Sequence, residues 1–201
     1  KLRYPGDPEI EVAREADRWR LRRPIEFPAD GEAVERLLQQ IAETKVERRI
    51  KTTDAEPLAT YGLDGDGKQA RISIALTGGN TLPDLIVGET TPVGYSAFAR
   101  VDGRDEIVVV PLLLHTGVKK SLLDLRDKQL FDVDATHVTA MEIGVGERRV
   151  RLERRGDEWS MTVPITARAD PDQARALVSA LNGIAALDFY ERAFGFERGE
   201  M

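Results

Sequence analysis

Trp19-Arg-Leu-Arg-Arg-Pro24-Ile25, followed by Ala29-Asp30, returns as Trp159-Ser-Met-Thr-Val-Pro164-Ile165, followed by Ala169-Asp170, at a constant offset of 140 residues. Upstream of the first copy, Ile10 and Val12 alternate with Glu9 and Glu11, and a turn falls near Glu15 to Asp17. Trp19, Leu21 and Arg23 then alternate with Arg18, Arg20 and Arg22. In the second copy Val150 and Leu152 alternate with Arg149, Arg151 and Glu153, Gly156-Asp157 supplies the turn, and Trp159, Met161 and Val163 alternate with Glu158, Ser160 and Thr162. Successive strand side chains point to opposite faces, so each copy is expected to be a hairpin with one apolar face centred on its tryptophan. If both tryptophans anchor cores, replacing either by alanine should cost on the order of 3 to 5 kcal/mol.

Each hairpin leads through a proline-bearing connector into a helical pattern. Asp30 stands at an N-cap position before Val34, Leu37, Leu38 and Ile41, the spacing of one helical face. Asp170 does the same before Ala174, Leu177, Val178 and Leu181, with Pro171 at the first helical position, where a missing N–H is tolerated. The repeated unit is therefore strand, strand, helix, and its helix is expected to cover the tryptophan face of its own hairpin.

The intervening region has a different pattern. Asp54 to Tyr61 is expected to form a short helix ended by Gly62, and four strands are expected at Ala70 to Thr77, Leu82 to Val87, Tyr95 to Val101 and Glu106 to Val110. Gly78-Gly79-Asn80 and Asp102-Gly103-Arg104 supply turns between them. Short helices are expected at Pro111 to Gly117 and Ser121 to Asp127, then a strand at Val138 to Ile143. The fold class is α+β: two strand-strand-helix repeats flank a central antiparallel meander. With no long linker, the reading is a single compact domain over 1–201, built as 1–50 first repeat, 51–130 meander and 131–201 second repeat.

Composition narrows the function classes. The 201 residues are 41% hydrophobic, enough for a substantial core. Zero cysteines exclude disulfides, thiolate zinc sites and cysteine catalysis. A net charge of −6 opposes non-specific attraction to nucleic acid, so no nucleic-acid partner is expected. No run approaches the roughly 18 to 20 apolar residues of a membrane span. The chain opens at Lys1 in strand-like sequence without a signal-peptide pattern, which reads as a cut N-terminus.

Motifs for chemistry are incomplete. Asp64-Gly-Asp66-Gly67 resembles the start of a calcium loop, but Lys68, Gln69 and Ala75 occupy places where a ligand, a glycine and a glutamate are needed. Gly117-Val-Lys119-Lys120-Ser121 resembles the end of a phosphate loop, but Leu112 stands where its first glycine should be. Gly94-Tyr-Ser96-Ala-Phe98 lacks the small last residue of a nucleophile elbow. His115 and His137, the two histidines, have no acidic residue at ligand spacing. No catalytic, metal or cofactor residue is therefore assigned, and the expectation is that the chain is not an enzyme.

The residues left for partner contact are few. Arg18, Arg20 and Arg22 form the densest charged stripe, with Glu9 and Glu11 expected to face them; in the second copy Arg149 and Arg151 are expected to face Glu158. A solvated face of cross-strand ion pairs competes with partner binding as the explanation. Thr91, Pro92 and Gly94 shape a connection between meander strands, and Arg126 and Asp127 end a helix, suited to an internal ion pair, a loop cap or a partner.

Trp19 to Asp30, Ala59 to Asp64, Gly88 to Gly94, Leu125 to Lys128 and Trp159 to Asp170, in that order and spacing, resemble the bacterial family called domain of unknown function 4340. Asp-Gly-Asp-Gly after Leu63 departs from its prolines at that turn. The resemblance implies a periplasmic or otherwise extracytoplasmic domain, tethered to the inner membrane by a segment upstream of Lys1 and encoded with ABC transporter components of the gliding-motility type. Partners would be envelope or ABC-transporter membrane proteins, and the role that of an accessory interaction or scaffold domain without cofactors. The alternatives are a ligand-binding module for a glycan, lipid or peptide in a groove between repeats and meander, and, for location, the cytoplasm.

Overall fold

The computed structural model describes residues 1–51, 57–65, 69–187 and 189. The chain divides into two compact units, Lys1–Asp127 and Lys128–Met201. Its secondary structure is mainly strand with some helix, all sheets being antiparallel, which is an α+β fold.

In the first unit, β1 (Leu2–Arg3) precedes the hairpin of β2 (Glu11–Glu15) and β3 (Arg18–Arg23), then β4 (Phe27–Pro28), α1 (Gly31–Glu43) and β5 (Arg48–Lys51). A 3-10 turn at Leu58–Tyr61 follows, ended by Gly62 at φ +64°. The helix expected over Asp54 to Tyr61 is thus a 3-10 turn in its second half, and its first residues lie outside the described ones. β6 (Ala70–Ile72), β7 (Leu85–Thr90), β8 (Ser96–Val101) and β9 (Glu106–Pro111) form the meander, followed by α2 (Leu112–Val118) and α3 (Leu122–Leu125).

The meander recruits strands from both ends of the first repeat, giving a six-stranded sheet in the order β1-β6-β7-β8-β9-β5. β6 is shorter than the expected Ala70 to Thr77. Beyond Ile72 the chain turns into a separate narrow hairpin in which Ala75 bridges Thr81. β7 starts at Leu85 rather than Leu82, after Pro83, whose missing N–H suits the approach to a strand.

β9 reads Glu-Ile-Val-Val-Val-Pro, a continuous apolar run, and both faces of its sheet are covered. On one face Ala70, Ile72, Val87, Ala97, Ala99, Val108 and Val110 meet Leu21 of the hairpin, Val34 and Leu37 of α1, Leu114 and Val118 of α2, and Leu125 of α3. On the other, Ile86, Phe98, Ile107 and Val109 meet Tyr61 and Leu63. The Tyr61 and Phe98 rings stand edge to face at 4.8 Å, a favourable aromatic geometry. Gly88 makes this second layer fit, because a Cβ there would collide with the carbonyl oxygens of Tyr61 and Gly62.

The second unit carries β10 (Ala140–Val145), β11 (Arg148–Arg155), β12 (Glu158–Val163) and β13 (Ala167–Arg168) in one sheet, then α4 (Pro171–Asn182). Its local geometry matches the first repeat at the 140-residue offset. Arg14 pairs with Trp19 and Arg154 with Trp159, and the register slips between Glu11 and Val12 as between Arg151 and Leu152. The Ala29 N–H donates to the Trp19 carbonyl at 3.0 Å, and the Ala169 N–H to the Trp159 carbonyl at 2.9 Å. Asp30 accepts from the Ala33 N–H at 2.9 Å, and Asp170 from the Asp172 N–H at 2.8 Å, so both act as N-caps.

The two cores differ in their centres. Trp159 is 4% exposed among Leu152 and Ala174. Trp19 is half-buried and Leu21 is fully enclosed, so the first hairpin centres on leucine rather than on tryptophan. The reason is the large sheet of the first unit, to whose core Leu21 belongs while Trp19 packs at its margin.

Candidate functional site

The arginine stripe is internally paired, with partners other than those expected. Arg20 reaches Glu15 at 3.8 Å, and Arg22 pairs with Glu15 and with Glu26 at 3.5 Å. Glu9 and Glu11 instead meet Arg23, at 3.8 and 3.5 Å, while Arg3 pairs with Glu9 and Lys1 with Glu11. In the second unit Arg149 and Arg151 meet Glu142 of β10 at 3.0 and 3.7 Å, and Glu158 lies opposite Arg155. The bulge of the first hairpin sets Glu11 opposite Arg23, whereas in the second unit the tight turn sets Glu158 opposite Arg155 and the neighbouring strand β10 brings Glu142 to Arg149 and Arg151. Arg18 is exposed beside the turn, opposite Glu15. Such half-exposed pairs contribute roughly 0.2 to 1 kcal/mol each and describe a solvated face.

Arg126 and Asp127 are built into the scaffold. Arg126 is buried, with its guanidinium 3.9 Å from the centre of the Phe27 ring, a cation–π contact away from water. Around it the Asp30 N–H donates to the Leu125 carbonyl at 2.9 Å and the Asp127 N–H to the Pro28 carbonyl at 3.0 Å. These bonds join the start of α1 to the end of α3.

Thr91, Pro92 and Gly94 lie in the turn between β7 and β8. The Thr91 N–H and hydroxyl both donate to the Ser96 carbonyl, at 2.8 and 3.2 Å, and the Gly94 N–H donates to the Thr91 carbonyl at 2.9 Å. Gly94 sits at φ +82°, where an L side chain would be strained. What this turn displays is its neighbours: Val93 is 82% exposed and Tyr95 84%. The Leu112 N–H donates to the Tyr95 carbonyl at 3.0 Å, which brings in Leu113 at 70% exposure. Below them the Gln40 side-chain amide donates to the Leu113 carbonyl and the Ser96 hydroxyl to Glu47 at 2.7 Å. Three large apolar side chains thus stand in water on a hydrogen-bonded base. Sequence reasoning picked the residues that shape the turn and missed those it presents; the apolar Val93 and Tyr95 flanking Gly94 were the available signal.

A cleft of about 390 Å³ opens elsewhere on the first unit, lined by Tyr4, Pro5 and Asp7, by Gln69 and Ala70, and by Lys119 to Ser121 with Asp124. The Lys120 N–H donates to the Tyr4 hydroxyl at 3.1 Å. Burial pushes the Tyr4 phenol up to about 12, against that bond. Ser121 and Asp124 form a reciprocal capping box at the start of α3, which occupies the hydroxyl and carboxylate that sequence alone leaves free. The Gln69 side-chain oxygen is buried without a hydrogen-bond partner among the described residues. Lys119, Lys120 and Ser121, first noted as an incomplete phosphate loop, line this cleft, but α3 spans only four residues.

The remaining candidates for chemistry are dispersed. Burial, followed by the nearby Lys119 charge, holds His115 below its usual range, and its Nδ1 is enclosed without a hydrogen-bond partner among the described residues. His137 is exposed and lies 3.1 Å from Asp134. Ser96 is a strand serine bonded to Glu47. Asp66 and Gly67 of the calcium-loop-like turn lie outside the described residues. Among the described residues no group of three or more His, Cys, Asp or Glu side chains is placed to hold a metal ion, and no helix is long and apolar enough to cross a membrane.

Residues 19–198 match the family model described as domain of unknown function (DUF4340). No curated protein and no solved structure matches the chain.

Proposed function

The chain belongs to the DUF4340 family, and from that premise we propose that it is a non-enzymatic interaction or scaffold domain of an envelope protein. It works on the extracytoplasmic side of the inner membrane, tethered there in the full-length protein, as an accessory of an ABC-transporter-linked complex. The observation that carries this reading is the cluster of Val93, Tyr95 and Leu113. Exposed apolar groups on a rigid base mark contact surfaces, because each gains burial on association while little backbone must be ordered. Tyrosine suits such a place, with an apolar ring and a hydroxyl that tolerates water.

The test is gentle-detergent purification of the full-length protein from its own membranes. Transporter subunits co-purify with the wild type and are lost with the Val93→Glu, Tyr95→Glu double variant, whose melting stays unchanged. Absence of transporter subunits from the wild-type preparation overturns the proposal.

The cleft supports a second reading, a module for a glycan or peptide. Its observation is the unpartnered Gln69 oxygen, which suits a ligand that donates a hydrogen bond, within a lining that mixes lysine, aspartate and tyrosine. A rise in melting temperature with envelope glycan fragments or short peptides, abolished by Gln69→Leu, supports it, and no shift at millimolar ligand rejects it.

A further inference from the structure

The backbone around Gly144 does not require glycine. The residue lies inside β10 without a positive φ, and a Cβ built on it meets nothing nearer than the Arg148 carbonyl oxygen at 3.9 Å, an ordinary contact. Gly88 differs, since the carbonyl oxygens of Tyr61 and Gly62 leave no room there for a side chain. Glycine weakens a strand interior, and one that its own neighbours do not require marks a place where another backbone comes close.

β10 is also an open edge. Its sheet runs in the order β10-β11-β12-β13, so β11 is its one neighbour among the described residues. The Arg154 N–H donates to the Thr139 carbonyl at 2.7 Å, continuing the register that sets Ala140 opposite Glu153. Bonded and non-bonded pairs alternate along an antiparallel ladder. Met141, Ile143 and Val145 therefore bond to β11, while Ala140, Glu142 and Gly144 aim their N–H and C=O groups outward. The other edge strands longer than two residues are guarded by charge, β2 with Glu11, Arg14 and Glu15, and β5 with Arg48, Arg49 and Lys51. β10 reads Ala-Met-Glu-Ile-Gly-Val, without proline or lysine and without a bulge against β11. Its one charge, Glu142, is already held by Arg149 and Arg151, and Ile143 and Val145 are 41% and 74% exposed.

We propose that β10 pairs antiparallel with β10 of a second copy of this chain, joining two four-stranded sheets across a two-fold axis with Ile143 opposite Ile143. A row of alternating outward donors and acceptors is satisfied by an extended backbone, and β10 is complementary to itself in this register. Glu142 of each copy exchanges hydrogen bonds with Gly144 of the other, so the outward groups of one strand meet those of the next. On the face that Met141 shares with Leu152, Ile143 meets Ile143 and Met141 meets Val145, an apolar cross-strand ladder. On the opposite face Glu142 stands beside a glycine rather than a like charge. Arg149, which lies across from Gly144, then faces a carboxylate of either copy with no side chain in between. A register with Glu142 opposite itself would set like charges together. The edge belongs to the second unit and the Val93, Tyr95 and Leu113 cluster to the first, so this pairing and the proposed function fail independently.

The chain has no cysteine, so a single introduced thiol reports the pairing without background. In a non-hydrogen-bonded antiparallel pair the Cα atoms stand about 4.5 Å apart, within disulfide reach. Ile143→Cys, oxidised with copper phenanthroline, is expected to give a disulfide-linked species of twice the 22.4 kDa of one chain. Its yield should exceed that of Glu142→Cys or Val145→Cys at least about tenfold, because those positions face Gly144 and Met141 of the second copy. Adding Gly144→Pro to Ile143→Cys removes one outward N–H and no bond to β11, and should lower the yield at least about tenfold while melting stays unchanged. A photo-crosslinking phenylalanine at position 143 of the full-length protein, in its own cells, should join two copies through β10. Equal yields at the three positions, no dimer at position 143, or a photo-product within one chain or with a different polypeptide overturns the proposal. So does unfolding of the chain by Gly144→Pro, which would show that the Gly144 N–H serves β11.

Discussion

Trp19 and Trp159 occupy equivalent positions but do unequal amounts of work. Trp159 is enclosed by Leu152 and Ala174, whereas Trp19 lies over Gly31, donates to Glu35 at 3.3 Å and has the Arg14 guanidinium 5.9 Å from its ring. Trp159→Ala should therefore destabilise its unit by about 3 to 5 kcal/mol, and Trp19→Ala by about 1 to 3 kcal/mol, in urea unfolding followed by circular dichroism. Tyr4 gives a second prediction. Burial raises its phenol to about 12 from an ordinary value near 10, so the folded form holds the proton more tightly than the unfolded chain. Its stabilising contribution is present below pH 10 and is lost as pH rises from about 10 to 12. Phenolate absorbance should show a late step near pH 12 that Tyr4→Phe removes, and its persistence in that variant would contradict the assignment. If the step removed by Tyr4→Phe lies near pH 10 instead, Tyr4 is solvated and the cleft is more open than described.

The elements show which physics is local. A cap needs only its own next three residues, so Asp30 and Asp170 were readable as N-caps from sequence, and the hairpins were readable from strict alternation. Asp30→Ala and Asp170→Ala should each lower stability by about 1 kcal/mol, measured by urea unfolding, and a neutral result at either site would contradict the assigned cap bonds. Ion pairing was not readable, because a bulge moves Glu11 opposite Arg23 and the pairing of β10 with β11 brings Glu142 to Arg149 and Arg151, neither of which leaves a periodic signal. β1 was not readable as part of the meander either. Leu2 pairs with Ile72, and a pairing between residues so far apart is set by the shape of the whole sheet rather than by its neighbours in sequence. The cleft was invisible for the same reason, since Tyr4, Gln69 and Lys120 come from three distant segments.

At the scale of the molecule, the duplication separates what folds from what is displayed. Both units keep the hairpin register, the bond from the alanine before the cap to the tryptophan carbonyl, and the capped helix. They differ in what lies outside the helix: α2 and α3 over α1, and exposed leucines on α4. The displayed apolar groups accordingly stand in the unrepeated β7–β8 turn, at the β9–α2 junction and on the outer face of α4, where the two copies depart from each other. The paired substitutions Leu37→Ala and Leu177→Ala test this directly in chemical unfolding of the chain. Leu37→Ala should cost about 2 to 5 kcal/mol and Leu177→Ala less than about 1 kcal/mol, since the same residue at the same place in the module is buried in one unit and open in the other. Equal losses at the two positions would contradict the account.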